Sequence, residues 1–141
     1  MREIADIAVG ELMSQPAVTV TPETSIEALT RLMAAHEYNG FPVVNDSGVL
    51  QGLVTRLDLF KLYLLPYHRF IPALEETWVS SVGAIMSRGV LALFAVEPAI
   101  KAMALMVEYR IHTIPIVTDT AAGRVVVGVV TRRDLTAALK L

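Results

Sequence analysis

The chain has 141 residues, 54% of them hydrophobic, and a formal net charge of −2. This composition excludes a disordered chain, and the length suits one domain with a sizeable core. The apolar run at residues 89–96 is far shorter than the roughly 18 residues of a membrane span, and the slightly acidic balance disfavours nucleic-acid binding. The absence of cysteine excludes disulfides and thiolate metal sites. Since the N-terminal residues also lack the apolar run of an export signal, we expect a cytoplasmic protein without a membrane segment.

One pattern of residues occurs twice along the chain. A shift of 73 residues aligns VGELMS (residues 9–14) with VGAIMS (82–87), and GFPVV (40–44) with TIPIV (113–117). Further on, GLVTRLDL and GVVTRRDL match at an offset of 76, because the second hairpin turn is three residues longer. An insertion confined to a turn is expected of two copies of one fold.

Each copy predicts the same elements in chain order. A short helix ends near Met13 or Met86, and an extended apolar stretch follows it (AVTV or VLAL). An amphipathic helix comes next, with Thr24-x-x-Glu27 as a capping box in the first copy. Two strands and a last helix complete the unit, and Thr-Arg-x-Asp closes the second strand and caps that helix. The unit is β-α-β-β-α, an α/β fold of the α+β type.

The amphipathic helices also predict part of the core. Their buried stripes are Ile26, Leu29, Leu32 and Met33 in the first copy, and Ala99, Ala102, Met103, Met106 and Val107 in the second. Because a unit of about 50–60 residues is marginally stable alone, the two copies are expected to pack together.

The predicted boundaries are repeat 1 at residues 1–61, a linker at 62–81 and repeat 2 at 82–141. Five of the nine aromatic residues lie between Phe60 and Trp78, where Pro66 and Pro72 interrupt any long helix. The simpler interpretation is that this segment crosses between the copies and packs over their joint core. The alternative is a docking surface for a second module or a protein partner.

The sequence resembles the cystathionine β-synthase (CBS) domain family, and specifically its paired form, the Bateman module. The resemblance rests on the Met-Ser opening, the strands Phe41-Pro42-Val43-Val44 and Ile114-Pro115-Ile116-Val117, and the Gly-x-Val-Thr-x-x-Asp ending, each present twice in the same order. It implies two repeats related by a pseudo-twofold axis, with packed sheets, outer helices and two clefts. It also implies an adenosyl ligand, such as AMP, ADP, ATP or S-adenosylmethionine, and a homodimer that forms a disc of four CBS units.

The resemblance implies that each cleft combines the Thr/Asp pair of one repeat with strand and helix-start residues of the other. Cleft A then contains Val129, Thr131, Asp134, Ala17, Thr24, Tyr38, Gly40 and Pro42. Cleft B contains Leu53, Thr55, Asp58, Val90, Glu97, Ile111, His112, Thr113 and Pro115. The aspartates suit ribose hydroxyls, since a carboxylate only accepts hydrogen bonds, and the threonines with the following helix N-terminus suit phosphate.

The clefts are predicted to differ at one equivalent position. Thr24 can donate a hydrogen bond to a phosphate, whereas its counterpart Glu97 is anionic and repels one. This predicts that cleft A binds phosphorylated nucleotides more tightly. Arg56, Arg132 and Arg133 are candidate phosphate partners or simply solvated.

The other polar candidates have simpler explanations. The histidines at 36, 68 and 112 lack a metal-site spacing, and His36 and His68 are interpreted as structural, whereas His112 is a candidate phosphate contact in cleft B. The predicted function is a regulatory adenosyl-ligand sensor without catalytic activity, which signals to a partner or within its own dimer. The alternatives are a structural dimerisation module with vestigial clefts, a nucleotide-processing enzyme and a nucleic-acid binder.

Overall fold

The computed structural model describes residues 3–64 and 81–139. Its helices are α1 (Ile26–Ala35), α2 (Arg56–Leu64), α3 (Ala99–Tyr109) and α4 (Arg132–Ala138). Its strands are β1 (Gly40–Val44), β2 (Leu50–Thr55), β3 (Leu93–Phe94), β4 (Thr113–Thr120) and β5 (Gly123–Thr131). Short 3-10 helices at Ile4–Asp6, Val9–Glu11 and Val82–Ala84 precede them in the two repeats. Of the predicted linker, residues 65–80 lie outside the described residues.

Each repeat is built on one antiparallel hairpin, β1–β2 in the first and β4–β5 in the second. In the second repeat β3 adds to β4 in parallel. The equivalent stretch of the first repeat pairs only at Val20, which donates to Pro42 O at 3.0 Å and accepts from Val44 N at 2.8 Å. The predicted β-α-β-β-α order is therefore present in both repeats, with the first strand of repeat 1 reduced to a single bridge.

The repeats exchange their Met-Ser segments. Ser14 forms two backbone hydrogen bonds with Val129 of the other repeat, at 2.8 and 3.1 Å. The equivalent Ser87 forms two with Leu53, both at 2.9 Å. Because each repeat makes the same contact to the other, the two are related by a pseudo-twofold axis, as predicted.

The hairpin tips lie on this axis. Val49 pairs with Val125, its own equivalent in the second repeat, and a residue that contacts its equivalent marks a symmetry axis. The two sheets therefore meet edge to edge at the tips. Within the described ranges, every helix is too short or too polar to cross a membrane.

Each hydrophobic core contains one valine from the other repeat. Val82 is fully buried in the first core, against α1, β1, β2 and α2. Val9 is fully buried in the second core, against the strands and helices of repeat 2. Because each core needs a residue of the other repeat, the two repeats fold as one unit.

The helix starts mostly follow the prediction. Thr131 and Asp134 form the predicted capping box at α4. At α1, however, the N-cap is Ser25, whose hydroxyl accepts from Ala28 N at 3.0 Å, and the prediction of Thr24 was wrong. Most residues of the predicted stripes of α1 and α3 are buried, while Ile26, Leu32 and Met103 are partly buried against the cores. The prediction was wrong for Val107, which is 77% exposed.

Candidate functional site

Two cavities lie between the repeats, each beside one Thr-Arg-x-Asp turn. The cavity in cleft A has a volume of about 110 Å³ and is lined by Thr131 and Asp134 of repeat 2 and Tyr38 of repeat 1. The cavity in cleft B has a volume of about 240 Å³ and joins Thr55 of repeat 1 to His112 of repeat 2. Both cavities thus combine a turn of one repeat with the strand entry of the other, the combination that the resemblance implies.

Each aspartate holds the threonine that begins its turn. Asp58 Oδ2 accepts the Thr55 N–H at 2.8 Å and the Thr55 hydroxyl at 3.0 Å. Asp134 Oδ2 accepts the same two groups of Thr131, at the same two distances. One oxygen of each carboxylate is therefore used to shape the turn, and the Oδ1 atom is the one that faces other partners.

The Oδ1 atoms differ between the clefts. Asp134 Oδ1 accepts a hydrogen bond from the Ser14 hydroxyl at 3.0 Å, which ties the turn of repeat 2 to the Met-Ser segment of repeat 1. Among the described residues, Asp58 Oδ1 has no such donor from the equivalent Ser87. The Oδ1 acceptor of cleft A is therefore already used by Ser14, whereas that of cleft B is not used by Ser87.

The structure brings part of the predicted cleft A set together. Tyr38, Thr131 and Asp134 line the cavity. The ring of Tyr38 stacks on His36, with centroids 5.3 Å apart, and meets the edge of Phe41. These two contacts hold Tyr38 as a fixed aromatic wall.

Other predicted residues of cleft A lie outside its cavity lining. Pro42 and Val129 are buried in strands β1 and β5, and Ala17 is half-buried after the Met-Ser segment. Gly40 lines the cavity of cleft B instead, because strand pairing sets it opposite Thr55.

Cleft B gathers more of its predicted residues, with Leu53, Thr55, Ile111, His112 and Thr113 in the lining. Asp58, Val90 and Pro115 are not in the lining. Asp58 lies directly behind Thr55 through the hydrogen bonds described above, and Pro115 is buried in strand β4.

Two polar atoms in the wall between the clefts have no partner. The side chain of Thr113 is 4% exposed and its hydroxyl makes no hydrogen bond in the described structure, and the same holds for the buried Nδ1 of His112. Both residues line both cavities. An unsatisfied buried polar group costs free energy, so these atoms are suited to a ligand that supplies the missing hydrogen bonds.

The charge state of His112 follows from this position. Burial lowers the pKa of His112 below its ordinary value of 6.5, and the positive charge of Arg132 lowers it further. The imidazole is therefore neutral near pH 7 and can accept or donate a hydrogen bond.

Thr24 and Glu97 occupy equivalent turns, and neither lines the two cavities. The Thr24 hydroxyl accepts the Thr21 N–H at 3.0 Å, and the Glu97 carboxylate accepts the Phe94 N–H at 2.8 Å. Glu97 is also paired with Lys101 at 2.5 Å, and these two donors, Lys101 first, hold its pKa below the ordinary value. The geometry therefore gives no support to the expectation that Glu97 repels phosphate from cleft B.

Sequence reasoning missed several residues of the lining. Asn39 lines both cavities, Glu37 lines cleft A, and Leu57 and Arg110 line cleft B. The repeat offset was the signal that could have found Asn39, since it is the equivalent of the singled-out His112. Residues 37 and 110 are equivalents as well, but their opposite charges hide the relation.

The histidines carry no metal site in the described part of the chain. No group of three or more histidine, aspartate or glutamate side chains there could hold a metal ion. His36 has the structural role predicted for it, stacked on Tyr38, and His68 lies outside the described residues.

Comparison with solved structures shows the same architecture in known proteins. The chain matches CBSX2 in complex with AMP with a TM-score of 0.78 at 26% identity, over 94% of this chain and 95% of that one. It matches the CBS domain pair of protein MJ0100, in complex with 5-methylthioadenosine and S-adenosyl-L-methionine, with a TM-score of 0.77 at 27% identity, over 93% and 94%.

Comparison with curated sequences finds both short and long relatives. A CBS domain-containing protein of Dictyostelium discoideum is 28% identical over 92% of this chain and 88% of its own length. The L-aspartate semialdehyde sulfurtransferase of Methanocaldococcus jannaschii is 29% identical over 90% of this chain, which spans 22% of that enzyme. The sequence model of the CBS domain matches residues 9–65 and 82–141. The chain therefore belongs to the CBS domain family and carries two CBS domains arranged as a pair.

Proposed function

We propose that the chain is a regulatory module that senses an adenosyl ligand in the clefts between its two CBS domains. The observation that carries this proposal is the meeting, in each cleft, of a Thr-x-x-Asp turn with the strand entry of the other repeat. In the wall that the two clefts share, this meeting leaves the Thr113 hydroxyl and His112 Nδ1 buried without partners. CBS pairs of similar sequence and fold are described in complex with AMP and with S-adenosyl-L-methionine, which supports the ligand class.

The parts of the ligand match the groups in the clefts. Asp58 Oδ1 and Asp134 Oδ1 accept the ribose hydroxyls. The threonine turns begin helices whose positive N-terminal dipole attracts a phosphate, although the N–H groups of Arg56 and Arg132 there already donate to Asn39 O and His112 O. Tyr38 in cleft A and Ile111 in cleft B supply apolar surface for the adenine ring. Because each cleft takes residues from both repeats, a bound ligand favours one packing of the pair over another, which is the basis of signalling by linkage.

A thermal-shift screen tests this function. The panel is AMP, ADP, ATP, S-adenosylmethionine, NAD and inorganic phosphate, each added at fixed protein concentration. A ligand that binds only the native state at a hundredfold excess over its Kd stabilises it by about 2.7 kcal/mol. We expect a clear rise of Tm with at least one adenosyl ligand and a smaller rise in the variants Asp58→Ala and Asp134→Ala.

The matched control is Ser25→Ala, which removes a helix cap outside both cavities. This variant should lose stability but keep the whole ligand-induced shift. If no member of the panel raises the Tm of the unmodified chain, the sensor function is wrong and the scaffold alternative takes its place.

We also propose a homodimer formed through the outer helices. Val107 and Tyr109 on α3 are 77% and 55% exposed, and Leu139 beside α4 is 44% exposed. Val107 and Leu139 border a cavity of about 410 Å³ between α3 and α4, whose walls include Met103, Met106 and Leu135. Helix α2 of repeat 1 exposes Leu57, Phe60 and Tyr63 in the same way. Sedimentation equilibrium of the chain and of Val107→Asp tests this assembly, because a charge at the interface should shift the mass from two chains to one.

A further inference from the structure

The two clefts differ most clearly at their rims. In cleft A Glu37 pairs with Arg133, with 2.6 Å between Oε2 and Nη1. The equivalent positions of cleft B are occupied by Arg110 and Leu57. Cleft B therefore has a rim arginine where cleft A has a rim carboxylate, and a leucine where cleft A has the arginine that pairs with it.

The formal charges in the lining of cleft A cancel. Arg132 and Arg133 contribute two positive charges, and Glu37 and Asp134 contribute two negative charges. The Arg133 and Glu37 side chains are 83% and 85% exposed, so their ion pair is weak, and it is the balance of charges in cleft A that removes its attraction for an anionic ligand.

Cleft B is positively charged. Arg56 and Arg110 line it, and no carboxylate joins them among the described residues of the lining. Asp58 lies behind Thr55 at the edge of this cleft, and even with its charge included cleft B keeps an excess of positive charge. A low-dielectric cleft with charge of one sign attracts a ligand of the opposite sign.

Of these two arginines, Arg110 is the one available to a ligand. The Arg56 guanidinium donates to Met33 O at 3.0 Å and to His36 O at 2.9 Å, at the C-terminus of α1. Arg110 has no ion pair or side-chain hydrogen bond within the described residues. It follows the last residue of α3 in the left-handed conformation, with φ 55° and ψ 42°, and its side chain lines cleft B.

We propose that cleft B selects adenosyl ligands by their number of phosphate charges, with Arg110 as the specificity-determining residue, and that cleft A takes adenosyl ligands of low charge. The Thr113 hydroxyl, buried and without a partner in the wall that both clefts share, is open to a ligand in either cleft, so the charges of the lining are what separate the two. The inference rests on the proposed function, and it reverses the ranking of the clefts expected from Thr24 and Glu97.

Calorimetric titration with a charge series tests the proposal. Adenosine, AMP, ADP and ATP are titrated into the chain in buffer with EDTA, so that magnesium does not neutralise the phosphates. For the unmodified chain we expect the affinity to rise with each phosphate, by about fivefold in total from AMP to ATP, which corresponds to one partly exposed ion pair. In Arg110→Gln, the remaining affinity should be the same for AMP and ATP.

Two variants serve as comparisons. Arg31→Gln removes the same charge from the exposed face of α1, where Arg31 pairs with Glu27, and should keep the full rise from AMP to ATP. Glu37→Gln releases Arg133 in cleft A and should add a second site that prefers ATP. Glutamine suits position 110 because, like arginine, it is unbranched at Cβ, whereas a β-branched residue would add strain at this left-handed position.

The failures of the two proposals are distinguishable. If neither adenosine nor any of its phosphates binds, the proposed function is wrong. If they bind but ATP gains nothing over AMP, or if Arg110→Gln keeps the gain, the charge selection is wrong and the adenosyl-sensing function stands.

Discussion

The two repeats share the hydrogen bonds of their Thr-x-x-Asp turns and differ in the side chains at the rims of their clefts. Both Thr-x-x-Asp turns have the same hydrogen bonds at nearly the same lengths. The rims, by contrast, exchange Glu37 for Arg110 and Arg133 for Leu57. The turn geometry is constrained because it caps a helix, whereas a rim side chain is free to change and so alters the charge of its cleft.

The close contacts between the repeats also constrain which residues can occupy the second strand of each hairpin. A Cβ atom at Gly52 would lie 2.5 Å from the carbonyl oxygen of Ser87. At the equivalent Gly128 the nearest atom would be Met13 Sδ, at 2.6 Å. Glycine is therefore required at both positions by the exchange of the Met-Ser segments.

The largest expected effect is on the free energy of unfolding, when one large buried side chain is truncated in either core. Phe41 is fully buried in the first core, and its equivalent Ile114 is fully buried in the second. Phe41→Ala should lower the free energy of unfolding by about 3–5 kcal/mol, and Ile114→Ala by about 2–5 kcal/mol. Urea denaturation followed by circular dichroism measures both.

Each of these variants should still unfold in a single transition, because Val9 and Val82 tie each core to the other repeat. Two separate transitions in Phe41→Ala, one of them unchanged from the parent chain, would show that the repeats fold independently.

Next in size is the comparison of the two glycines. Gly52→Ala should cost about 2–3 kcal/mol, since the Ser87 carbonyl oxygen would lie 2.5 Å from the Cβ and cannot move away easily. Gly128→Ala should cost about 1–2 kcal/mol, since the Met13 side chain can rotate and the Ser14 carbonyl oxygen is further away, at 3.0 Å. Gly89→Ala is the control, because a Cβ there meets nothing within 4 Å. Equal losses at positions 52 and 128 would mean that the Met-Ser segments are not held as described.

A smaller effect separates the two aspartates. Asp58→Ala should cost about 1 kcal/mol through the lost cap, and Asp134→Ala about 1–2 kcal/mol, because it also leaves the Ser14 hydroxyl without its acceptor. In a Ser14→Ala background the cost of Asp134→Ala should fall to that of Asp58→Ala. A double-mutant cycle with zero coupling between positions 14 and 134 would contradict the hydrogen bond.

The smallest effect is a pH dependence that comes from one repeat only. The pKa of His112 is lowered in the folded chain, so the unfolded chain binds the proton more readily. Above pH 6.5, the ordinary pKa, His112 is neutral in both states and does not affect stability. As the pH falls below 6.5 the unfolded chain takes up the proton first, and the folded chain loses stability. The charged groups that line the two cavities with His112 are Arg56, Arg110, Arg132, Arg133, Glu37 and Asp134.

His112→Gln, with its equivalent Asn39 unchanged, should lose less stability than the parent between pH 7.5 and 5.5. Urea denaturation at a series of pH values measures the difference. Parallel pH profiles for the two proteins would show that His112 titrates alike in the folded and unfolded states.

The duplicated motifs predicted most of the fold because the pattern of each element occurs twice in the sequence with nearly the same spacing. The capping boxes at Thr131 and at Thr55 are local patterns, and local hydrogen bonds follow from sequence alone. Thr24 was harder, because Ser25 beside it is an equally good cap, and the helix starts one residue later than expected.

The contacts at the rims of the clefts could not be predicted from the sequence, because they depend on which side chains meet across the pseudo-twofold axis. Glu37 and Arg133 are 96 positions apart and pair only once the repeats are packed. Glu97 was interpreted as a cleft residue from its position alone, whereas its carboxylate is used by Lys101 and the Phe94 N–H. Of the predicted linker at residues 62–81, residues 65–80 lie outside the described part of the chain.

The most direct test of the account is a crystal structure of the chain grown with AMP. We expect the nucleotide between the repeats, with its ribose hydroxyls on Asp58 Oδ1 or Asp134 Oδ1, and hydrogen bonds from the ligand to Thr113 or His112 when it occupies cleft B. AMP bound only outside the two clefts, in a chain that binds it saturably in solution, would contradict the account.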